Sequence, residues 1–325
     1  MAGAVKAARY RSFSSYLRER FGERVQKVSI DAGFTCPNRD GTKALGGCTF
    51  CNNQGFSPPT RVEPREIAAQ IRQGIEFVRR RAKARKFLAY YQAFTNTYAP
   101  VEVLKERYDA IRSFPEVVGL VIGTRPDCVP EETLDLIAGH AEDYHVWVEY
   151  GLQSARDETL ALINRAHTAA DFEDAVERTR RRSRRDLDLH ICAHVILGLP
   201  GETREDMLHT ARFVARLPLD GIKIHLLHVL RGTPLEAQYR KGSLRTLGMD
   251  EYANLVCDFL ELLPPQMVIQ RLTGEAPPEY LVAPRWCLDK HKVLAAIHSA
   301  LETRATHQGR LFLPGAGGGL TARES

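Results

Sequence analysis

No stretch of this chain strings together the roughly 18 apolar residues that would cross a bilayer, and no apolar core follows the basic residues Lys6, Arg9 and Arg11 as it would in a signal peptide. Its seven cysteines form an odd set without the spacing of a secreted scaffold, which argues against a disulfide framework. Internal repeats are missing beyond a strand-helix unit. These shortages lead to the expectation of a soluble, cytoplasmic protein with no membrane partner. The most telling shortage is local. Cys36-x11-Cys48-x2-Cys51 gathers three cysteines, and no fourth cysteine or histidine lies near enough in sequence to complete the set. Structural zinc takes four protein ligands and leaves no open position. A cubic four-iron cluster held by three thiolates keeps one iron free to bind something else. Ligand softness alone leaves both metals open.

With 325 residues and 44% hydrophobic content the chain can bury a large core, and one barrel domain plus appendages fits that size. The formal net charge is only +5, but the bases cluster at 79–86 and at 178–185. Such runs serve either as footprints for phosphate backbones or as solvated helix faces.

Short apolar runs at 25–30, 87–92, 117–122, 145–150, 191–196 and 221–226 read as strands. Helical patterns at 63–84, 101–113, 131–141, 169–182 and 203–217 alternate with them. This alternation predicts right-handed crossovers and a parallel sheet, either doubly wound or curled into a partial barrel. Polar residues at the strand ends favour the barrel. Asn96 and Thr97, Arg125 and Asp127, Glu149 and Gln153, and Gly198-Leu199-Pro200-Gly201-Glu202-Thr203 all fall at the carboxyl end of a strand, where α/β folds bind ligands. The cysteine loop follows the first strand at that same end. On strand six, Lys223 and His225 alternate with Ile222, Ile224 and Leu226, so both face one side, lumen or helix. The expected organisation is a lead-in helix in 1–24, a core over 25–235, a C-terminal extension over 236–312 and a flexible tail over 313–325. Within the extension, helical patterns at 249–263 and 289–303 flank a proline-rich stretch.

Several features in this order resemble the radical S-adenosylmethionine (SAM) enzymes. They are the cysteine triplet, Glu149-Tyr150-Gly151-Leu152-Gln153-Ser154, Asn164-Arg165-Ala166-His167 and Leu197-Gly198-Leu199-Pro200-Gly201-Glu202-Thr203. Within that superfamily the chain is similar to the branch of the elongator catalytic subunit. Cys36-Pro37-Asn38-Arg39-Asp40-Gly41-Thr42 and Gly46-Gly47-Cys48-Thr49-Phe50-Cys51 bring it nearer to the YhcC/YtqA-type bacterial proteins. The superfamily's commonest spacing is C-x3-C-x2-C. The long first gap here departs from it and matches the elongator-like branch. No acetyltransferase-like domain is recognisable, so the full elongator reaction is not expected.

The resemblance implies a partial (β/α)6 barrel with a [4Fe-4S] cluster on Cys36, Cys48 and Cys51, the fourth iron being chelated by SAM. One electron delivered through the cluster would release a 5′-deoxyadenosyl radical. Cofactor contacts fall on Phe50 (adenine, or packing beside the cluster), Glu149, Gln153, Arg165 (a guanidinium for the SAM carboxylate) and the backbone at Gly198 and Gly201. Relatives in this branch act on tRNA, so a transferase or oxidoreductase modifying a tRNA base, the wobble uridine, is expected. A one-electron donor such as flavodoxin or ferredoxin would serve it. Radical chemistry on a small metabolite or porphyrin-like molecule, and a zinc-bearing RNA-binding module, are the rivals.

Overall fold

A computed structural model describes residues 8–52, 66–183 and 186–314. Most of the anticipated tail, and the two arginines at 184 and 185, lie outside these. Strands β1 (Val25–Ile30), β2 (Lys86–Tyr91), β3 (Val117–Thr124), β4 (His145–Gln153), β5 (Leu189–Leu197) and β6 (Gly221–Leu226) lie side by side in chain order, all parallel. Helices α1 (Phe13–Phe21), α2 (Ile67–Ala82), α3 (Val101–Asp109), α4 (Glu131–His140), α5 (Asp157–Leu162), α6 (Ala169–Arg182) and α7 (Arg204–Arg216) precede or connect them. Two later strands form a small antiparallel pair, β7 (Val229–Leu230) with β9 (Leu281–Ala283). The extension also holds α8 (Pro234–Arg240), α9 (Met249–Leu262) and α10 (Lys290–Thr303).

The sheet has a seventh strand that the sequence did not announce. β8 (Val268–Arg271) comes from the proline-rich stretch of the extension and pairs parallel with β6. The result is a curled, parallel half-barrel of seven strands.

Period-two alternation sorts each strand into two faces. On β4, Val146, Val148, Tyr150 and Leu152 join the large core under the helices, whereas Trp147 joins a separate lumen cluster with Leu88, Tyr90, Val121 and Cys192. Glu149, Gly151 and Gln153 continue the lumen face toward the carboxyl ends. Helix starts follow local chemistry. Thr168 and Thr203 each accept from the backbone N–H three residues on, and Asp171 and Asp206 return a carboxylate to the cap, closing two capping boxes.

At the foot of the barrel, α1 fills the opening between the edge strands β1 and β8. Phe13 meets Trp147 edge-on at 5.6 Å between ring centroids, and Leu17 is buried in the same cluster. Ile269 donates its N–H to the Arg11 carbonyl at 2.8 Å. Beneath it lies a polar knot in which Asp188 takes contacts from His145 (2.9 Å), His190 (2.7 Å) and Arg20 (3.0 Å). Trp147 donates to His145 Nε2 at 2.7 Å, which puts the His145 proton on Nδ1, in close contact with Asp188 but without a hydrogen bond of good geometry.

The described arginines of the two runs sit mainly in the later turns of α2 and α6. The last turns of α2 and α6 lead into the amino ends of β2 and β5, opposite the cysteine loop. Arg178 pairs with Glu131 (2.6 Å) and Asp174 (3.0 Å), Arg180 with Asp220 (2.7 Å), Arg182 with Asp135 (2.6 Å), and Arg79 with Glu116 (3.0 Å).

Candidate active site

The cysteine loop leaves β1 at the mouth and is shaped by its own turn residues. Asp40 and Arg39 donate backbone N–H groups to the Cys36 carbonyl, and Gly47 donates to the Asn38 carbonyl at 2.7 Å. Gly46 and Gly47 both have φ near +80° (81° and 79°), a conformation that costs other residues energy. Two asparagines clasp the loop onto the segment after α5. Asn38, fully buried, donates to the Asn164 carbonyl at 2.5 Å, while Asn164 donates to the carbonyls of Gly47 (2.8 Å) and Leu45 (3.0 Å).

All three cysteines are free thiols, Cys48 buried and the other two half-buried. Burial and the neighbouring Cys48 push the Cys51 thiol up to about 12, so without a cation beside it the group keeps its proton at neutral pH. Asn38 Nδ2 and Arg165 Nη1 point donors at Cys48 Sγ, at 3.5 and 3.6 Å. Among the described residues, the group whose ligating atoms all lie within 4.8 Å of one another is His145, Asp188 and His190. The three sulfurs do not form such a group. A tetrahedral zinc with bonds of about 2.3 Å would draw its sulfurs to about 3.8 Å, whereas the faces of an iron-sulfur cube set them wider.

Arg165 is held on three sides. It donates Nε to His167 Nε2 at 2.9 Å and Nη2 to the Gly151 carbonyl at 2.7 Å, besides Cys48. His167 sends Nδ1–H to the Thr168 carbonyl (3.1 Å), and burial with Arg165 keeps it neutral, its value down to about 3. Its flanks carry strain: Asn164 and Ala166 both have φ of 53°. Such conformations persist where the surroundings impose them. Here Arg125, almost fully buried, imposes them by donating to the carbonyls of Arg165 (2.9 Å) and Ala166 (3.0 Å). Asp127 grips Arg125 with both oxygens at 2.9 Å and takes Lys43 of the cysteine loop at 2.6 Å. Burial opposes ionisation of Asp127, but Arg125 and Lys43 outweigh it and hold the carboxyl at about 2.

Below the mouth the lumen opens into a cavity of about 470 Å³, walled by Cys36, Cys48, Cys51 and Phe50 at one end and by residues of β4, β5, β6 and β8 at the other. Glu149 lies deep in it. Its Oε1 accepts from Lys27 at 2.8 Å, its Oε2 from Lys223, and Lys223 also donates to Tyr90 at 2.9 Å. Burial works against the carboxylate, yet Lys223 and Lys27 together hold it well below its ordinary range. Lys223 is fully buried while Lys27 is only half-buried, and burial pulls Lys223 down to about 7. Gln153 reaches the cavity through a φ of 73°, and its Oε1, like Nε2 of His194 and of His228, is buried without a partner. Such orphaned atoms cost about 1–3 kcal/mol each unless a ligand or water meets them.

The cavity therefore brings together seven of the residues singled out in sequence: Cys36, Cys48, Cys51, Phe50, Glu149, Gln153 and Arg165. Gly198 and Gly201 are not in its wall. Their positive φ values, 86° and 80°, turn the chain from β5 into α7, and a Cβ at either would meet Leu247 or Leu162. Lys223 and His225 both prove to face the lumen. Sequence reasoning placed Arg125 at a strand end and Asn38 in the cysteine motif without assigning either a role, and it passed over His194, His228 and Arg271, whose only sequence signal was position on a lumen face or beside a strand end.

The sequence profile of the radical SAM superfamily matches residues 36–214, and that of the Radical_SAM C-terminal domain matches 219–303. The chain belongs to the radical SAM superfamily. Enzymes of this superfamily use a [4Fe-4S] cluster and SAM, and the three free thiols, the donors aimed at Cys48 and the orphaned polar atoms in the cavity wall fit both. Uncharacterized protein YtqA of Bacillus subtilis is 45% identical over 304 residues, covering 94% of this chain and 93% of YtqA. The tRNA uridine(34) acetyltransferase of Dehalococcoides mccartyi is 28% identical over 169 residues, 51% of this chain but 35% of that protein. Among solved structures, the archaeal Methanocaldococcus infernus Elp3 superposes with a TM-score of 0.61 at 17% identity, over 87% of this chain and 64% of Elp3, a likeness of fold. No helix among the described residues is long and apolar enough to cross a membrane.

Proposed function

We propose that Cys36, Cys48 and Cys51 hold the cluster, that Arg165 binds the SAM carboxylate beside it, and that this radical SAM enzyme modifies a tRNA base, the wobble uridine. The observation that carries the cofactor assignment is the convergence of three thiols and Arg165 on one end of the cavity. Support for tRNA comes from the partial match to a tRNA uridine(34) acetyltransferase.

When bound, the two cofactors supply one electron to a carbon-sulfur bond of SAM and, from its cleavage, a 5′-deoxyadenosyl radical. The chain's own residues prepare the place for it. Neutral His167 accepts from Arg165 Nε, which leaves the outer edge of the guanidinium for a carboxylate, the geometry in which arginine binds best. Phe50 packs against the Ile163 and Ile196 cluster and offers its other face to the cavity. The α1 plug and the Lys27–Glu149–Lys223 knot fill the foot of the barrel and narrow the access of water from that side. A one-electron donor such as flavodoxin or ferredoxin is required.

The test is mass spectrometry of tRNA nucleosides from a deletion strain, its parent, and the deletion complemented with the wild-type or Cys48→Ala gene. One modified uridine should vanish, return with the wild type, and stay absent with the variant. An unchanged nucleoside profile would remove tRNA as substrate and favour a small metabolite or porphyrin-like molecule.

A further inference from the structure

We infer that the side of the cavity away from the cysteines, toward the carboxyl ends of β5, β6 and β8, is a subsite for an oxyanion of the substrate, a phosphate or a carboxylate, received by Arg271 with His228 and His194. The inference rests on the radical SAM assignment, which places SAM at the cysteine end, and it specifies what the substrate carries.

Arg271 is the centre of the argument. Its guanidinium is half-buried in the cavity wall, and its one recorded hydrogen bond runs from Nη1 to His225 Nε2 at 3.0 Å. Because an arginine only donates, His225 accepts and is neutral on that side. No carboxylate among the described residues pairs with Arg271. Glu149 is taken by Lys27 and Lys223, and the exposed Glu275 faces Lys290 at 3.0 Å. Four of its five N–H donors are thus uncommitted in a concave, partly desolvated site. A fork of this geometry suits a two-oxygen anion. Its field reaches the whole pocket: burial and the charge of Arg271 together keep His228 neutral, down to about 4.

A second observation is independent of charge. His228 is 4% exposed, and its Nε2, like that of His194, has no partner. Gly274 holds the imidazoles in place from behind, since a Cβ there would lie 2.5 Å from His225 Nδ1 and 3.1 Å from His228 Cε1.

Register separates this end from the cofactor. Gly151 pairs with His194, His194 with Lys223, and Lys223 with Arg271, one row across β4, β5, β6 and β8. Arg165 touches the Gly151 end of the row. Arg271 stands three strands away, on the order of 14 Å along the sheet. An anion at Arg271 is therefore a different group from the carboxylate at Arg165.

The test uses the full-length, anaerobically cluster-loaded protein, with inorganic phosphate, uridine 5′-monophosphate and succinate as calorimetric probes and SAM binding measured beside them. At least one probe should bind the wild type. R271Q should weaken that binding tenfold or more and R271K by a smaller factor, with SAM affinity within twofold of wild type in both. Unchanged SAM affinity also shows that the variants are folded. The proposal is overturned if no probe binds, if R271Q binds the probe as tightly as wild type, or if R271Q loses SAM tenfold. Succinate binding without the nucleotide would uphold the subsite and remove the tRNA reading; nucleotide binding would uphold both.

Discussion

Glu149 shows how a single residue can be legible in its placement and hidden in its role. Alternation along β4 put it on the lumen face, and a polar strand end suggested a cofactor contact. Its partners come from 122 residues before it and 74 after it, distances over which a sequence pattern carries no signal. The same holds for Arg125, whose work is to hold two carbonyls of a strained segment, and for Arg271. The cysteines stood out in sequence because metal chemistry favours a set ligand type and number, and all three line the cavity. Removing the carboxylate by Glu149→Gln leaves buried Lys223 and half-buried Lys27 without their shared counter-charge and should cost about 3 kcal/mol or more. Adding Lys223→Met should recover over half of that in anaerobic denaturant melts, and no recovery would contradict the account. The pH dependence has a definite sign. Folded Lys223 titrates near about 7, below the about 10.4 of an unfolded lysine. Between those values the unfolded chain holds more protons, so stability rises with pH there. Lys223→Met should flatten that rise, and a wild type with no rise above pH 7 would refute the assignment.

Among the elements, β1 to β6 were readable because each is an apolar run bounded by turn residues and followed by an amphipathic helix. β8 was not. It has four residues between Pro264-Pro265 and Pro277-Pro278, and prolines demote a run to an edge or to no strand at all. It is an edge strand, with β6 on its other side. Helix α1 was readable as a helix, but its position as the barrel's floor depends on Asp188 and on the lumen aromatics. Burial opposes the Asp188 carboxylate, and contacts from His145 and His190 outweigh it, so it stays ionised. The two histidines have opposite signs. His190 is raised and contributes below about pH 6.5, fading as pH climbs through its folded value; His145 is lowered by burial and costs stability as pH falls below about 6.5. Their slopes oppose, so pH is a weak lever on this floor and substitution is the better one. Asp188→Asn should lose about 2 kcal/mol and speed amide exchange through α1 more than through α9. Equal protection in α1 would show that apolar packing alone seats the helix.

On the scale of the whole molecule, charge bears on the two readings of the arginine runs. Arg79, Arg80, Arg178, Arg180 and Arg182 pair with acids, as the arginines of a solvated helix face do, on helix turns away from the cysteine loop. Arg178→Gln with Arg182→Gln should therefore leave tRNA affinity within about twofold and its salt dependence unchanged, whereas Arg39→Gln at the mouth should lower the salt slope by about 1. Filter binding over a salt series decides it, and a tenfold loss in the double variant would return those arginines to the interface. The joining of the two chain ends has a further consequence, which concerns synthesis. Ser12 bridges to Ile269, a separation of 269 − 12 = 257 residues. At 5–20 residues per second a ribosome takes roughly 13 to 50 s to supply the later partner. Until then the first helix lacks its partner on β8, and once β6 has been made its outer edge stays open until β8 follows. The last strand of the parallel sheet to be made is the one that shuts the barrel, and the newborn chain must be kept from aggregating until it arrives.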